Sequence, residues 1–506
     1  MPASSSTGPV GTVGTTDAVA RADALLSADR QFGDSAAIGE RNLARFRLGL
    51  TMLARHDAEG ADVLRTTAAG PDERLRPLLY DPVLRNCFEV DLVELERGRL
   101  DRSSFAVRLG DGAAQTPPPT GPCEALTDPH LRAWPELGDT WVLTEPAPRD
   151  DAQKKLGERL MALYRAALGS GATAPVRPTD ETLAGLREGA ALLATLMPAS
   201  GAGVLGHVTV VGFTHRESEE GPLQSMSGGD PLPSAVLLAP ERCASPWLAA
   251  ESLLHEGAHL KLFDALRTGS LVANPTERVP IPWRIGSWTL IRVFVALHFY
   301  VHVQVFRAAA ATADETVRER FGAPPTVEEI DEPSPGTPAA RGGTYRTAAE
   351  RARCLAECVL SLPDEALTEN GRRFAGWLLT ALRLVDAEAP EYPARTTAAA
   401  TGPEVAAVRL PETPVEGVLE RVAPVDACAL PGLGQLIVST ARSARMHWLN
   451  ARSWTVYSLC DGRAPGSLRT AYARVVGLPA DSAEVARQVD GSLRRLLAAG
   501  LVTHSG

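Results

Sequence analysis

The sequence predicts a mainly α-helical chain with small β elements, an α+β protein of more than one domain. With 506 residues, the chain is longer than one compact domain usually needs. Along most apolar segments the hydrophobic residues recur at intervals of three and four, which is the period of a helix. Only short runs have the β-branched content of strands. Hydrophobic residues make up 44% of the chain and charged residues 22%, so a core of ordinary size can form.

Composition also excludes several classes of function. The 51 Lys and Arg against 61 Asp and Glu give a net charge of −10, which argues against general binding to nucleic acids or anionic membranes. The seven cysteines are scattered without a CxxC pair, so neither a disulfide framework nor a thiolate zinc site is indicated. The first residues lack the basic start and apolar run of a signal peptide, and the longest apolar stretch is interrupted by polar side chains. We therefore expect a soluble, cytoplasmic protein that neither enters membranes nor binds nucleic acid.

Composition and periodicity divide the chain into four segments. They are a disordered Ser/Thr/Gly/Pro-rich N-terminus (1–16), a helical domain (17–387), a Pro/Thr/Ala-rich linker (388–431) and a compact C-terminal domain (432–506). Within the helical domain we expect two strands, a helix directly after the second strand, and a long apolar helix further on. Their predicted bounds are 206–213, 234–240, 246–268 and 287–311.

The helix after the second strand contains the motif HExxH in the segment LLHEGAHL. Because residues four apart lie on the same face of a helix, His255 and His259 can bind one metal ion, with Glu256 beside the first ligand. Two buried histidines with ordinary hydrogen-bond partners are the alternative. The order of strand, short turn and helix favours a metal site in a zincin-like unit.

Two histidines do not complete a catalytic metal site, and three downstream residues are candidates for the third ligand. Glu277 follows His259 at a spacing that a zinc protease could use, with Glu256 as the general base. His298 and His302 share one face of the apolar helix ALHFYVHVQVF, where an unpaired imidazole would be costly. An iron enzyme would instead leave open positions for dioxygen and a co-substrate. If that co-substrate were 2-oxoglutarate, its far carboxylate would need a cation.

The order of these motifs resembles a known family. The segments LLHEGAHLKLFDAL, IPWR, ALHFYVHVQVF and LTENGRRFAGWLL are similar to those of HExxH-type 2-oxoglutarate-dependent peptide β-hydroxylases, over roughly residues 200 to 385. Those enzymes act on ribosomally synthesised, post-translationally modified peptides. The resemblance implies Fe(II) bound by His255, His259 and His298, with 2-oxoglutarate and dioxygen as co-substrates. Arg284 and Arg292, which lie between the HExxH helix and His298, are both candidates for binding 2-oxoglutarate. The resemblance favours Arg284, in the IPWR segment.

The C-terminal segment has its own pattern of two strands followed by three helices. Taken alone, the pattern also fits a small winged-helix DNA-binding domain, although the acidity of the chain weighs against that function. The order LN, LCDG and GLV resembles the PqqD-like recognition element, which binds the leader segments of precursor peptides, over about residues 432 to 503. The resemblance implies that a leader adds a strand to the sheet and packs against the third helix. The residues expected to contact it are Arg445, His447, Leu449, Arg487, Asp490, Arg494 and Arg495.

Together these observations predict an Fe(II)/2-oxoglutarate-dependent hydroxylase that is guided to a ribosomal precursor peptide by its C-terminal domain. A zinc metallopeptidase that trims a modified peptide is the second hypothesis, with Glu256 as its base. A leader-binding partner without catalytic activity is the third. The metal content of the purified protein distinguishes the three.

Overall fold

The fold was analysed in a computed structural model. It describes residues 12–110, 123–126, 129–131, 139–143, 151–168, 175–215, 217–218, 221–283, 286–325, 345, 347–392, 415, 417–440 and 443–505. The α-helices are α1 (Thr12–Ala28), α2 (Ser35–His56), α3 (Ala61–Ala68), α4 (Asp72–Tyr80), α5 (Pro82–Glu96), α6 (Ser104–Gly110), α7 (Asp151–Leu168), α8 (Asp180–Leu196), α9 (Ser200–Leu205), α10 (Pro246–Leu266), α11 (Leu290–Ala311), α12 (Glu315–Phe321), α13 (Ala348–Leu360), α14 (Glu369–Val385), α15 (Ala451–Leu459), α16 (Pro465–Val476) and α17 (Ala483–Ala498). Short 3₁₀ helices span Pro129–Leu131, Pro240–Ala244, Asp364–Ala366 and Pro431–Leu433.

The strands are short and form several small sheets. They are β1 (Cys123–Leu126), β2 (Thr140–Leu143), β3 (Val210–Phe213), β4 (Glu217–Ser218), β5 (Gly221–Pro222), β6 (Ser225–Ser227), β7 (Ala235–Leu238), β8 (Arg278–Pro280), β9 (Ser287–Thr289), β10 (Val418–Arg421), β11 (Pro424–Leu430), β12 (Gln435–Thr440), β13 (Ser443–Asn450), β14 (Asp461–Arg463) and β15 (Val502–Ser505). The prediction of a mainly α chain with small β elements is therefore confirmed at this level.

A five-stranded sheet in the order β1-β2-β3-β7-β6 lies between two layers of helices. Strands β2, β3 and β7 run parallel, and the edge strands β1 and β6 pair antiparallel to their neighbours. Successive side chains of β3 and β7 pack into two different hydrophobic cores, one on each face of the sheet. Val211 and Val236 pack with α8, α10 and α11, whereas Val210 and Leu237 pack with the N-terminal helices. Because both faces are covered, these strands are continuously apolar and do not alternate with polar residues.

The HExxH helix α10 follows strand β7, as the sequence predicts. Ser245 caps it by accepting a hydrogen bond from the Trp247 backbone N–H, and Pro246 occupies the first turn, where no N–H donor is needed. The helix packs closely on α8 because Gly189 has no side chain: a Cβ there would lie 2.5 Å from Cβ of Ala249. This close approach fixes α10 between the sheet and α8.

The long apolar helix begins three residues later than predicted, because residues 287–289 form β9 and pair with β8. By length and composition alone, Leu290–Ala311 could span a membrane, but 72% of its most apolar window is buried inside the protein. The helix packs against α10, α13 and α14 as part of the largest core. The structure thus accounts for its apolar surface by burial within the protein.

The C-terminal residues form two three-stranded sheets, in the orders β11-β12-β13 and β14-β10-β15, with the helices α15, α16 and α17. The first of these sheets lies between two cores. Val438 and Leu449 face the C-terminal helices, whereas Ile437 and Trp448 face the N-terminal helices. Two sequence boundaries need correction: β10 and β11 lie inside the stretch predicted as a linker, and α1 begins at Thr12 inside the predicted disordered N-terminus. Residues 393–414 and 416 of the predicted linker, and residues 1–11 of the N-terminus, lie outside the described residues.

Polar contacts also join the C-terminal sheet to the first two helices. Arg55 of α2 forms an ion pair with Asp426 of β11 at 2.5 Å, and Nε2 of Gln435 donates a hydrogen bond to Oε1 of Gln31 at 3.2 Å. Arg30 donates a further hydrogen bond to the carbonyl oxygen of Gly432. Together with the apolar contacts of Ile437, these bonds hold the sheet against the helical part of the chain.

Candidate metal centre

The HExxH residues form a compact group of potential metal ligands on α10. One ligand atom each from His255, Glu256 and His259 lies within 4.8 Å of the others. The two imidazole rings are one helical turn apart, with their centroids separated by 5.0 Å. The carboxylate is 3.9 Å from Nε2 of His255. These separations are close to those of ligands that share one divalent cation, which lie at most about 4.4 Å apart when each bond to the ion is about 2.0–2.2 Å long.

The Glu256 carboxylate is buried and oriented by the edge strand of the central sheet. Ser225 of β6 donates a hydrogen bond from its Oγ to Oε1 of Glu256 at 2.7 Å. Burial raises the pKa of Glu256, and the neighbouring His259 and the hydrogen bond from Ser225 partly oppose that rise. A carboxylate with a raised pKa accepts a proton more readily at neutral pH than an exposed one.

Both imidazoles are neutral at physiological pH. Burial lowers the pKa of His259 to about 4, and Nδ1 of that ring has no hydrogen-bond partner among the described residues. For His255, whose side chain keeps 33% of its surface exposed, burial shifts the pKa in the same direction. A neutral imidazole has a free nitrogen lone pair, which is the form that binds a metal ion.

An aromatic side chain from α11 covers one side of the two histidines. The ring of Phe299 stacks on His255 with centroids 3.9 Å apart and an angle of 12° between the planes. It also lies edge-on to His259 at 5.1 Å. No pattern in the sequence identified Phe299, or Ser225, as part of the site, because both reach it only through tertiary packing.

His298, the predicted third ligand, precedes Phe299 on the helix and points into a different environment. Its ring is fully buried and lies 4.4 Å from the ring of His302 and 5.7 Å from that of Phe374. Successive residues of a helix project about 100° apart, so α11 directs Phe299 to the histidine pair and His298 toward α14. Both ring nitrogens of His298 lack a hydrogen-bond partner among the described residues, and burial lowers its pKa. Its assignment as third ligand remains a prediction.

Of the other candidates, Arg292 and Glu277 lie apart from this group. Arg284 is outside the described residues. Arg292 is exposed, with its guanidinium 4.6 Å from the centre of the Trp288 ring. Glu277 precedes β8, and its backbone carbonyl accepts a hydrogen bond from Leu290 at 3.1 Å. Among the residues with described positions, none of these joins the cluster around His255.

The predicted leader-binding strand is β13, an edge strand that pairs only with β12 within the described part of its sheet. Arg445 is exposed, His447 is half-buried and Leu449 belongs to the C-terminal core. Burial lowers the pKa of His447, and its Nε2 has no partner in the part of the chain that the structure describes.

The predicted leader-binding residues of α17 differ in whether their side chains already have hydrogen-bond or ion-pair partners. Arg487 is exposed. Asp490 is already paired, since Arg469 of α16 donates to both of its carboxylate oxygens at 2.6 and 2.8 Å. Arg494 donates from Nε to the backbone carbonyl of Asp490 at 3.3 Å. Arg495 donates to Ser492 at 3.4 Å. Only Arg487 therefore has an exposed side chain with no partner in the described residues.

No protein-family model matches the chain, and a search of curated proteins finds no match.

Proposed function

We propose that this chain is an Fe(II)/2-oxoglutarate-dependent hydroxylase that modifies a residue in a ribosomally synthesised precursor peptide. The observation that carries the proposal is the group of His255, Glu256 and His259 on one helix. Its partly open surface, at the exposed edge of His255, leaves room for small ligands beside a bound ion. The ordered motifs of residues 200 to 385 specify which metal chemistry we expect.

The donor set fits a divalent cation. Two neutral imidazoles supply nitrogen ligands of the kind that iron and zinc accept, and the buried carboxylate of Glu256 lies within 4.8 Å of both. When bound there, iron would couple the decarboxylation of 2-oxoglutarate to transfer of one oxygen atom from dioxygen into a C–H bond, while the other enters succinate. The residues of the chain bind the ion, hold a proton and exclude water. His255 and His259 hold the ion, Glu256 accepts or holds a proton at its carboxylate, and Phe299 excludes water from one side of the histidine pair.

An edge strand beside the site supports a peptide substrate. Among the described residues, β6 pairs with β7 on one side only, and its Ser225 contacts Glu256 directly. An extended peptide that paired with the other side of β6 would pass the metal group, because backbone hydrogen bonds to an edge strand orient a substrate without depending on its sequence. The second edge strand, β13, would hold the leader in the PqqD-like manner.

A zinc peptidase is the second candidate, and the position of Glu256 favours it. The carboxylate lies 3.9 Å from Nε2 of His255 and has a raised pKa, as a general base for a metal-bound water requires. A hydrolase would use the same two histidines and the same edge strand. The identity of the metal and the product therefore distinguish the two candidates.

Metal analysis and turnover test the proposal together. Protein purified without oxygen is expected to bind close to one Fe(II) per chain and, in air, to convert 2-oxoglutarate to succinate while a precursor peptide gains 16 mass units, the mass of one oxygen atom. His255→Ala and His259→Ala should lose the metal, whereas His56→Ala, at the exposed end of α2, should keep it. Zinc with peptide cleavage would support the peptidase instead, and full metal content in both α10 variants would end the metal-site proposal.

A further inference from the structure

A basic cleft lies between α6 and α7. It has a volume of about 560 Å³ and is lined by Val107 and Arg108 of α6 and by Lys155, Glu158 and Arg159 of α7. Three of these side chains are cationic and one is acidic, although the chain as a whole has a net charge of −10. Ligand sites have volumes of about 300–1,000 Å³, so the cleft is large enough to hold a ligand. Its local charge indicates that this ligand is an anion.

The two arginines of the cleft approach α5 from different helices. Burial raises the pKa of the Cys87 thiol on α5, and a hydrogen bond with Ser104 and the charges of Arg159 and Arg108 partly oppose that rise. Both arginine side chains are half-buried, and Nη2 of Arg159 donates a hydrogen bond to Oδ1 of Asn86 at 3.1 Å. The fold thus holds two positive charges beside the same helix.

Lys155 and Arg159 have no acidic partner among the described residues. Arg99, just after α5, differs from them because it donates to both carboxylate oxygens of Glu94 at 2.7 and 2.8 Å. Arg159 contacts only the side-chain amide of Asn86 in the described part of the chain, and Lys155 is exposed. An ammonium group and a guanidinium group both donate to carboxylate oxygens, and the planar guanidinium can donate to two at once. The cleft therefore offers charge-assisted hydrogen bonds to a ligand.

The spacing of cations along α7 favours an extended peptide as that ligand. Lys155 and Arg159 are four residues apart, so their Cβ atoms lie about 5–6 Å from each other on one face of the helix. Alternate side chains of an extended chain project to the same side about 6.6–6.8 Å apart. Two carboxylates at alternate positions of a peptide can therefore each contact one of these cations.

The cleft also borders the helix that packs against the predicted leader-binding strand. Helix α5 contacts both α7 and β13. Met446 and Trp448 of β13 pack against the same core that contains Phe105 of α6 and Leu160 of α7. A helix with its side chains is about 10–12 Å across and an extended peptide advances about 3.3 Å per residue, so crossing α5 takes about four residues. A single peptide can therefore pair with β13 and continue to the cleft.

We propose that the cleft between α6 and α7 binds an acidic segment of the precursor peptide, with neighbouring carboxylates at Lys155 and Arg159 and with Arg108 beside them. The inference rests on the proposed function for the identity of its partner, a precursor peptide. It adds a contact outside the C-terminal domain, so recognition of the peptide does not depend on β13 and α17 alone.

Acetylation of lysine provides the test, because the chain has only three lysines and Lys261 is fully buried. Lys155 lines the cleft, whereas its exposed neighbour Lys154 projects about 100° away around α7 and serves as the matched control. The full-length protein is acetylated with and without hexaglutamate at roughly 0.15 M salt, where charges more than about 8 Å apart are screened, and mass spectrometry measures each site. At about four times its Kd, hexaglutamate should slow acetylation of Lys155 roughly fivefold, because only about one fifth of the clefts are then empty. Lys154 should react at an unchanged rate, and hexaglutamine should protect neither lysine.

Variants identify the other contacts of the probe. Arg159→Gln should raise the hexaglutamate concentration that half-protects Lys155 by about threefold to tenfold, since one charge-assisted contact is lost. Arg318→Gln removes an equal charge from the exposed surface of α12 and should leave that concentration unchanged. If Arg159→Gln does not fold, the protection pattern of the wild-type protein decides alone.

Two results would overturn the inference. Equal protection of Lys154 and Lys155 would show that hexaglutamate is attracted to the surface in general, and the cleft would not be a site. Protection of Lys155 by pyrophosphate but not by hexaglutamate would show a site for small anions, and the assignment to a peptide would be wrong. The test requires neither metal nor turnover, so its outcome is separate from that of the hydroxylase proposal: an enzyme that hydroxylates a peptide while Lys155 stays unprotected would contradict this inference alone.

Discussion

Replacing Lys261 with methionine should stabilise this protein. Lys261 is one of only three lysines in the chain, and its side chain is fully buried on α10. Its Nζ has no hydrogen-bond partner among the described residues. The negative charges of Asp34 and Asp23 raise its pKa only in part. Burial therefore dominates and lowers the pKa of Lys261 from 10.5 to about 8.

The size of the effect follows from that pKa. Each pKa unit corresponds to about 1.4 kcal/mol, so keeping the ammonium charged inside the folded protein costs roughly 3 kcal/mol at pH 7. Methionine has a similar length and no charge, and it fits irregular spaces in a core. We expect Lys261→Met to raise the free energy of unfolding by about 1–3 kcal/mol, the lower values allowing for imperfect packing.

The pH dependence gives a second measure of the same cost. Because the pKa of Lys261 is lower in the folded protein, the unfolded chain binds more protons between pH 8 and 10.5, and wild-type stability should rise with pH across that window. The methionine variant lacks this rise. The difference between the two proteins should therefore be largest below pH 8 and should shrink toward pH 10.5.

Urea unfolding followed by tryptophan fluorescence provides the assay, since Trp247, Trp283 and Trp377 lie in the same core as α10. Lys154→Met, on the exposed surface of α7, serves as the control and should change stability by less than about 0.5 kcal/mol. A Lys261→Met protein that is less stable than wild type at pH 7, by an amount independent of pH, would show that the ammonium has a partner that compensates its burial. The reasoning would then be wrong.

Three further predictions concern the metal ligands, the support beneath α10 and the leader-binding strand. His298→Ala should lower iron content as much as loss of an α10 histidine if His298 is the third ligand, while His302→Ala should be milder; metal analysis that ranks them in reverse would move the assignment to His302. Asp264→Asn should destabilise the protein by about 3–5 kcal/mol in urea unfolding, because it removes the negative partner of a buried arginine. Since the pKa of Asp264 is lowered to about 2 in the fold, its wild-type contribution is full above about pH 4 and is lost as the pH falls toward 2, a loss the variant should not show. Arg445→Glu and Arg487→Glu, both at exposed side chains, should weaken binding of an acidic leader peptide at least fivefold in fluorescence titration, and unchanged affinity would remove β13 and α17 from leader recognition.

The local pattern of the sequence was sufficient for the elements that carry the metal motif. The apolar run before Pro240 and the Ser245–Pro246 cap predict a strand followed by a helix, and both are present. The i, i+4 spacing alone places His255 and His259 on one face, because helix geometry is independent of the rest of the fold. Sequence was less able to place weak strands, such as β10 and β11 in the predicted linker, because their pairing depends on partners distant in the chain.

What surrounds the motif was decided by tertiary structure. His298 and Phe299 are adjacent in the sequence, and only the rotation of α11 against α10 determines that Phe299 stacks on His255 while His298 is buried beside His302. The same holds for Ser225, which reaches Glu256 because β6 pairs at the edge of the sheet. The sequence by itself determined which residues can bind a metal, since ligand chemistry and helical spacing are local properties. Which neighbours face that metal group depends on the packing of segments far apart in the chain, and no local pattern records that packing.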